Sequence, residues 1–254
     1  MVAPPRPDEE AAGSPEEPEP RKPPTQRDAA SGPLLTAVAV TAVVTVVSHV
    51  TPDGYANTAV GAAFLGATWL LAVHGRDTAT IRRFGLGLGG LIEAEPISVS
   101  RVLREGAEAF AWALAVGAVV FPLFWLGYTY YWETGAFHPR VPPELADRVL
   151  GQMLVVALPE EAFYRGYLQT ALEGAWHDRK RRVLGVEIGL GWLASAGIFA
   201  VGHLLTIPHP ARLAVFFPAL LFGWLRARTG GIGAGVAIHA MSNLFSAFLA
   251  DAYR

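Results

Sequence analysis

From Pro33 onward the chain alternates long apolar runs with short polar segments. The runs cover residues 33–50, 57–74, 109–131, 149–172, 187–207, 211–226 and 231–250. A helix needs about 20 mainly apolar residues to cross ~30 Å of hydrocarbon, and most runs come close to that length. The pattern predicts an all-α fold, a polytopic transmembrane helical bundle of about seven spans. The 211–226 run is short, and the 149–172 run carries charges at its centre. Between the second and third runs, Val99, Val102 and Leu103 interleave with Arg101, Arg104 and Glu105 at near-helical spacing. That interleaving predicts an amphipathic helix on the cytoplasmic face.

Residues 1–32 differ from the rest. They hold eight Pro, seven acidic residues and no aromatic, and such a stretch buries too little apolar surface to offset its ordering entropy. The expectation is a disordered tail at 1–32, which is not a signal peptide because the apolar run begins so late. A membrane domain at 33–254 follows, with the chemistry-bearing part at 149–250.

Composition agrees with a membrane protein. Of 254 residues, 52% are hydrophobic and 17% charged, against about 25% charged in an ordinary soluble domain. The net charge of −2 excludes nucleic-acid binding driven by bulk charge. There is no Cys, which excludes disulfides, Cys-ligated zinc, iron–sulfur clusters and a thiolate nucleophile. With the N-terminus inside, fifteen Lys and Arg fall on cytoplasmic segments and four on external ones. This positive-inside asymmetry predicts seven spans in the cell (inner) membrane, N-terminus cytoplasmic and C-terminus outside. Tyr128, Tyr130, Tyr131 and Trp132 at the outer end of the third run fit an interfacial aromatic belt.

Gly85, Gly87 and Gly90 match G-x-G-x-x-G, but no strand precedes them and no βαβ unit surrounds them. Helix packing or a flexible loop is the better reading. The pairs Gly231/Gly235 and Gly185/Gly189 have small-xxx-small spacing, which permits close helix contact.

Ionisable groups inside a membrane are costly unless they pair, line a cavity or do chemistry. The fourth run contains Leu158-Pro159-Glu160-Glu161-Ala162-Phe163-Tyr164-Arg165. Glu161 and Arg165 are four apart, with the acid first, the favourable order for a helical ion pair. Glu160 points about 100° away and has no partner on its own helix. Pro159 cannot donate to the helix ladder and is expected to kink or loosen the helix there. The fifth run carries Phe199 and His203, and the seventh carries His239 and Asn243; each pair shares a helix face. With alternating spans these polar groups fall at overlapping depths, compatible with one wet cavity.

A Glu and a His together polarise water, while a His and an Asn donate to an oxyanion. The set points to hydrolysis of an acyl bond without a covalent intermediate. There is no H-E-x-x-H, no mid-span Asp, and no nucleophile motif around Ser195 or Ser242. A proton-coupled transporter also uses intramembrane Glu and His, although paired repeats are not evident.

The motifs E-E-x-x-x-R, F-x-x-x-H and H-x-x-x-N, in this order on separate apolar runs, resemble the CPBP family of intramembrane proteases. That family includes the CAAX prenyl endopeptidases of the Rce1 type and many bacterial relatives. The resemblance covers about 149–250. It implies that Glu160 and His203 activate water, that His239 and Asn243 form the oxyanion site, and that Glu161, Arg165 and Phe199 support them. It implies glutamic catalysis with no cofactor and no metal, acting on a membrane-anchored protein in the lipid bilayer. Bacterial myxosortase-like members suggest removal of C-terminal sorting tails. Some members are discussed as non-catalytic immunity or scaffold proteins, which is the alternative.

Overall fold

The computed structural model describes residues 26–142, 144–178 and 180–253, and the expectation for residues 1–25 lies outside them. Each apolar run contains helix. In order these are α1 (Gln26–Val50), α2 (Ala56–Thr68), whose end continues as a π-helical turn (Trp69–Val73), the short α3 (Thr78–Arg83) and α4 (Val99–Trp132). The fourth run is one unbroken helical rod. It comprises α5 (Leu145–Leu150), a π stretch (Gly151–Ala157), α6 (Leu158–Glu161), a second π stretch (Ala162–Gln169) and α7 (Thr170–Ala175). A hairpin of β1 (Arg181–Val183) and β2 (Val186–Ile188) leads into α8 (Leu190–Thr206). A 3-10 turn (Pro210–Val215) feeds α9 (Phe216–Thr229), and α10 (Gly233–Ala252) closes the chain.

The fold is all-α with one small hairpin. Four helices, Asp28–Val50, Ala56–Val73, Val99–Trp132 and Gly233–Ala252, are long and apolar enough to cross a membrane. The remaining three apolar runs fall short for physical reasons. The rod at 145–175 carries Glu160, Glu161 and Arg165 in its middle. Helix α8 has 17 residues, about 26 Å, and α9 has 14.

Three expectations need correction. Helix α1 starts at Gln26, so residues 26–32 extend the first helix rather than belonging to a tail. The amphipathic stretch at 99–105 is no separate helix but the first turns of α4, whose 34 residues run about 51 Å and carry it beyond the hydrocarbon. Gly185 and Gly189 do not join helices. Leu184 (φ 47°) and Gly185 (φ 82°) form the two-residue turn of the hairpin, where both central residues need positive φ. The glycines at 85–90 form a tight loop folded under α9 and α10. The Gly85 carbonyl accepts from Ile232 N at 3.1 Å, and Arg226 Nη2 donates to the Arg83 carbonyl at 2.7 Å.

Pro159 acts as its chemistry requires. Lacking an N–H, it leaves the Val155 carbonyl without its α-helical donor. That carbonyl faces Gly61 of α2, where a Cβ would sit 2.5 Å from it. The two helices therefore touch backbone to backbone at the level of the glutamates.

The segments at each end of the bundle agree in sidedness. At one end, Trp125 Nε1 donates to the Tyr253 hydroxyl at 2.8 Å, Tyr128 stacks on Tyr253, and Arg148 lies 3.8 Å from Asp251. At the other, Trp224 Nε1 donates to the Val183 carbonyl and Gly189 N to Glu173. At that end Glu93 is fully covered and held by Arg82 and Arg101, each at 2.7 Å. These hydrogen bonds hold its carboxyl down to about 2, against the usual carboxylate range above 4.

Candidate active site

The 145–175 rod, α8, α9 and α10 surround the charged groups. Arg165 Nη1 donates to Glu161 Oε1 at 2.9 Å, and both side chains are buried. Arg165 Nη2 reaches the Ala219 carbonyl at 3.3 Å, and its guanidinium lies 4.3 Å from the centroid of the Phe199 ring and 5.3 Å from that of Phe222. Stacking on aromatic faces and the paired carboxylate together compensate a cation that burial alone would penalise.

The same Glu161 Oε1 lies 2.9 Å from His239 Nδ1. A carboxylate only accepts, so Nδ1 carries a proton. That hydrogen bond turns Nε2 toward Glu160, whose Oε2 is 3.8 Å away. The His239 ring stacks on Phe222 with centroids 4.9 Å apart. Gly235, one turn earlier on α10, makes room for Glu161: a Cβ there would lie 2.9 Å from its Oε2.

His203 sits on α8 with its ring 4.3 Å from that of Phe199. Its Nδ1 is 3.1 Å from the Phe199 carbonyl. A carbonyl likewise only accepts, so Nδ1–H donates and Nε2 keeps its lone pair. Neutral His203 is thereby held in the tautomer a base requires.

Glu160, His203, His239 and Asn243 all line one cavity of about 1350 Å³, together with Gln152, Tyr164, Phe199 and Phe222. Glu160 Oε2 is buried in its wall and, among the described residues, has no hydrogen-bond partner. Its nearest basic neighbour is His239, from the last helix, a contact the sequence spacing did not reveal. Asn243 Nδ2 donates to Gln152 Oε1 at 2.8 Å. Gln152 went unnoticed in the sequence. The available signal was an amide in the fourth apolar run, eight residues before Glu160. Ser195 and Ser242 spend their hydroxyls on the Tyr164 and Ile238 carbonyls.

Among the described residues, no three His, Cys, Asp or Glu side chains are grouped to hold a metal ion. What the arrangement offers is a carboxylate oxygen without a hydrogen bond, an acceptor imidazole, a second imidazole and an amide around one space.

Residues 142–245 match the family model for type II CAAX prenyl endopeptidase, Rce1-like. That segment is similar to the Rce1-like family. No curated protein and no solved structure matches the chain. The Rce1-like segment contains every residue described above, from Gln152 to Asn243. The match supports an intramembrane CAAX-type protease in general.

Proposed function

We propose that this chain is an intramembrane endopeptidase of glutamic type, cutting a membrane-associated protein near its C-terminus. Glu160 and the Nε2 of His203 take the proton of a water, whose oxygen attacks the scissile carbonyl. His239 as the imidazolium, its Nδ1–H held by Glu161, donates Nε2–H to the oxyanion, and an Asn243 amide proton joins it. The proton then passes to the departing amine as the C–N bond breaks. Glu161, Arg165 and Phe199 fix His239 and His203. Neither metal nor cofactor is required by this scheme. The seven apolar runs act as spans of the inner membrane, N-terminus cytoplasmic, in a protease domain that follows the N-terminal tail.

The observation that carries the reading is the buried, unpartnered Glu160 Oε2 on the wall that it shares with His203, His239 and Asn243. The test compares membrane proteomes of cells carrying the wild-type chain and Glu160→Gln. C-terminally trimmed membrane proteins present with the former should be absent with the latter at equal protein level. Identical trimmed sets would overturn the proposal.

A further inference from the structure

Two side-chain hydrogen bonds are among the contacts that join the 145–175 rod to α10. One is Glu161 to His239; the other, nearer the outer end, is Gln152 to Asn243. The second has no place in the three motifs, yet it settles a question those motifs leave open. An asparagine amide has two nearly isosteric ends, one donating and one accepting. An oxyanion is stabilised only by the donating end, so something must choose the rotamer.

We propose that Gln152 is the positioning residue for Asn243. Its Oε1 accepts one Nδ2 proton at 2.8 Å and thereby directs the second Nδ2 proton into the cavity that both residues line. The assignment rests on the oxyanion role proposed above for Asn243. Gln152 itself touches neither water nor the scissile bond in this scheme. Its position in the π stretch Gly151–Ala157 fits a residue set to face a particular partner, because such stretches re-aim side chains relative to a regular helix.

The test uses the full chain in lipid nanodiscs and needs no substrate for its first arm. The sequence holds only two asparagines, Asn57 and Asn243, so labelling asparagine with nitrogen-15 yields two side-chain amide pairs, assigned with Asn243→Ala. In the wild type, one Asn243 proton should be shifted and protected by its hydrogen bond and the other should not. Gln152→Leu should collapse that difference. Gln152→Glu, which keeps the acceptor and lacks the donor, should restore it. Two unbonded Asn243 protons in the wild type would mean that Gln152 donates instead, and would overturn the assignment.

The second arm follows trimmed membrane proteins that depend on Glu160. Gln152→Leu should slow their formation between about 10- and 100-fold through kcat, the range seen when outer partners that orient catalytic ligands are removed. Gln152→Glu should recover most of the rate, and Gln152→Leu combined with Asn243→Ala should be no slower than Asn243→Ala alone. If Gln152→Leu trims at the wild-type rate while Glu160→Gln abolishes trimming, the positioning role is wrong and the protease reading stands. If Glu160→Gln changes nothing, the protease reading itself has failed.

Discussion

His239 and Arg165 share a single oxygen: Glu161 Oε1 lies 2.9 Å from His239 Nδ1 and 2.9 Å from Arg165 Nη1. One carboxylate therefore anchors a buried cation and orients an imidazole three helices further along the chain. Its neighbour Glu160 is left with a buried oxygen that nothing else claims. Adjacent residues of one type thus differ: Glu161 binds through Oε1 while its Oε2, like that of Glu160, has no hydrogen-bond partner among the described residues.

Arg165→Ala should lower both protein abundance and the thermal midpoint, measured in detergent. It strands the Glu161 charge in a buried site, which typically costs about 3–5 kcal/mol, and it empties the space between Phe199 and Phe222. Arg165→Lys should rescue little, because it cannot satisfy Glu161 and the Ala219 carbonyl with a planar fork while lying on two rings. Normal accumulation with full activity would contradict the anchoring role.

Asn243→Ala should cost about 2.7–4 kcal/mol of transition-state stabilisation, read mainly in kcat. In the same preparation, trimming should continue in EDTA and phenanthroline. Activity lost to chelators and restored by zinc would overturn the metal-free scheme while leaving a protease in place.

Glu93 gives a stability prediction remote from the cavity. Its carboxyl is held down to about 2 by the Arg82 and Arg101 hydrogen bonds. A depressed folded-state value means the stabilisation is complete above the ordinary value of 4.5 and is lost as the pH falls toward 2. The wild-type thermal midpoint should thus fall more steeply than that of Glu93→Gln between about pH 5 and about pH 3. Parallel curves would show that Glu93 contributes nothing through its charge.

Topology is checked by reporter fusions. Residue 178 should report cytoplasm, and residues 138 and 254 the exterior. The joining of Trp125 and Tyr128 to Tyr253 puts the end of α4 and the end of α10 on one side, so fusions at 138 and 254 that disagreed would break the seven-span scheme.

Hydropathy was enough to find the helices, because burying backbone in lipid leaves little choice but helix. Spacing was enough to pair Glu161 with Arg165, since four residues on one helix is a local relation. The partner of Glu160 was not legible, because it comes from α10, 79 residues later, and no periodicity connects separate helices. Gln152 was hidden for the same reason: its role exists only when Asn243 arrives. The hairpin at 181–188 was hidden in the polar segment between the fourth and fifth runs, overlapping the fifth only at 187–188, although Leu184-Gly185 carried a turn signal. The amphipathic stretch at 99–105 was recognised as helical, but nothing in its pattern showed that it continues into α4 without a break.

The π stretches on either side of Leu158–Glu161 have a further consequence for how this site is inherited. Bonding from i to i+5 fits an additional residue into a turn, so the chain ahead of Pro159 is longer than a regular helix would need for the distance it covers. Were the same residues wound as a regular α-helix, everything downstream would rotate by about 100°. Glu160 would swing off the cavity and Glu161 off His239, with composition and hydropathy untouched. The phase of this face is therefore stored in the winding of Gly151–Ala157 as much as in residue identities.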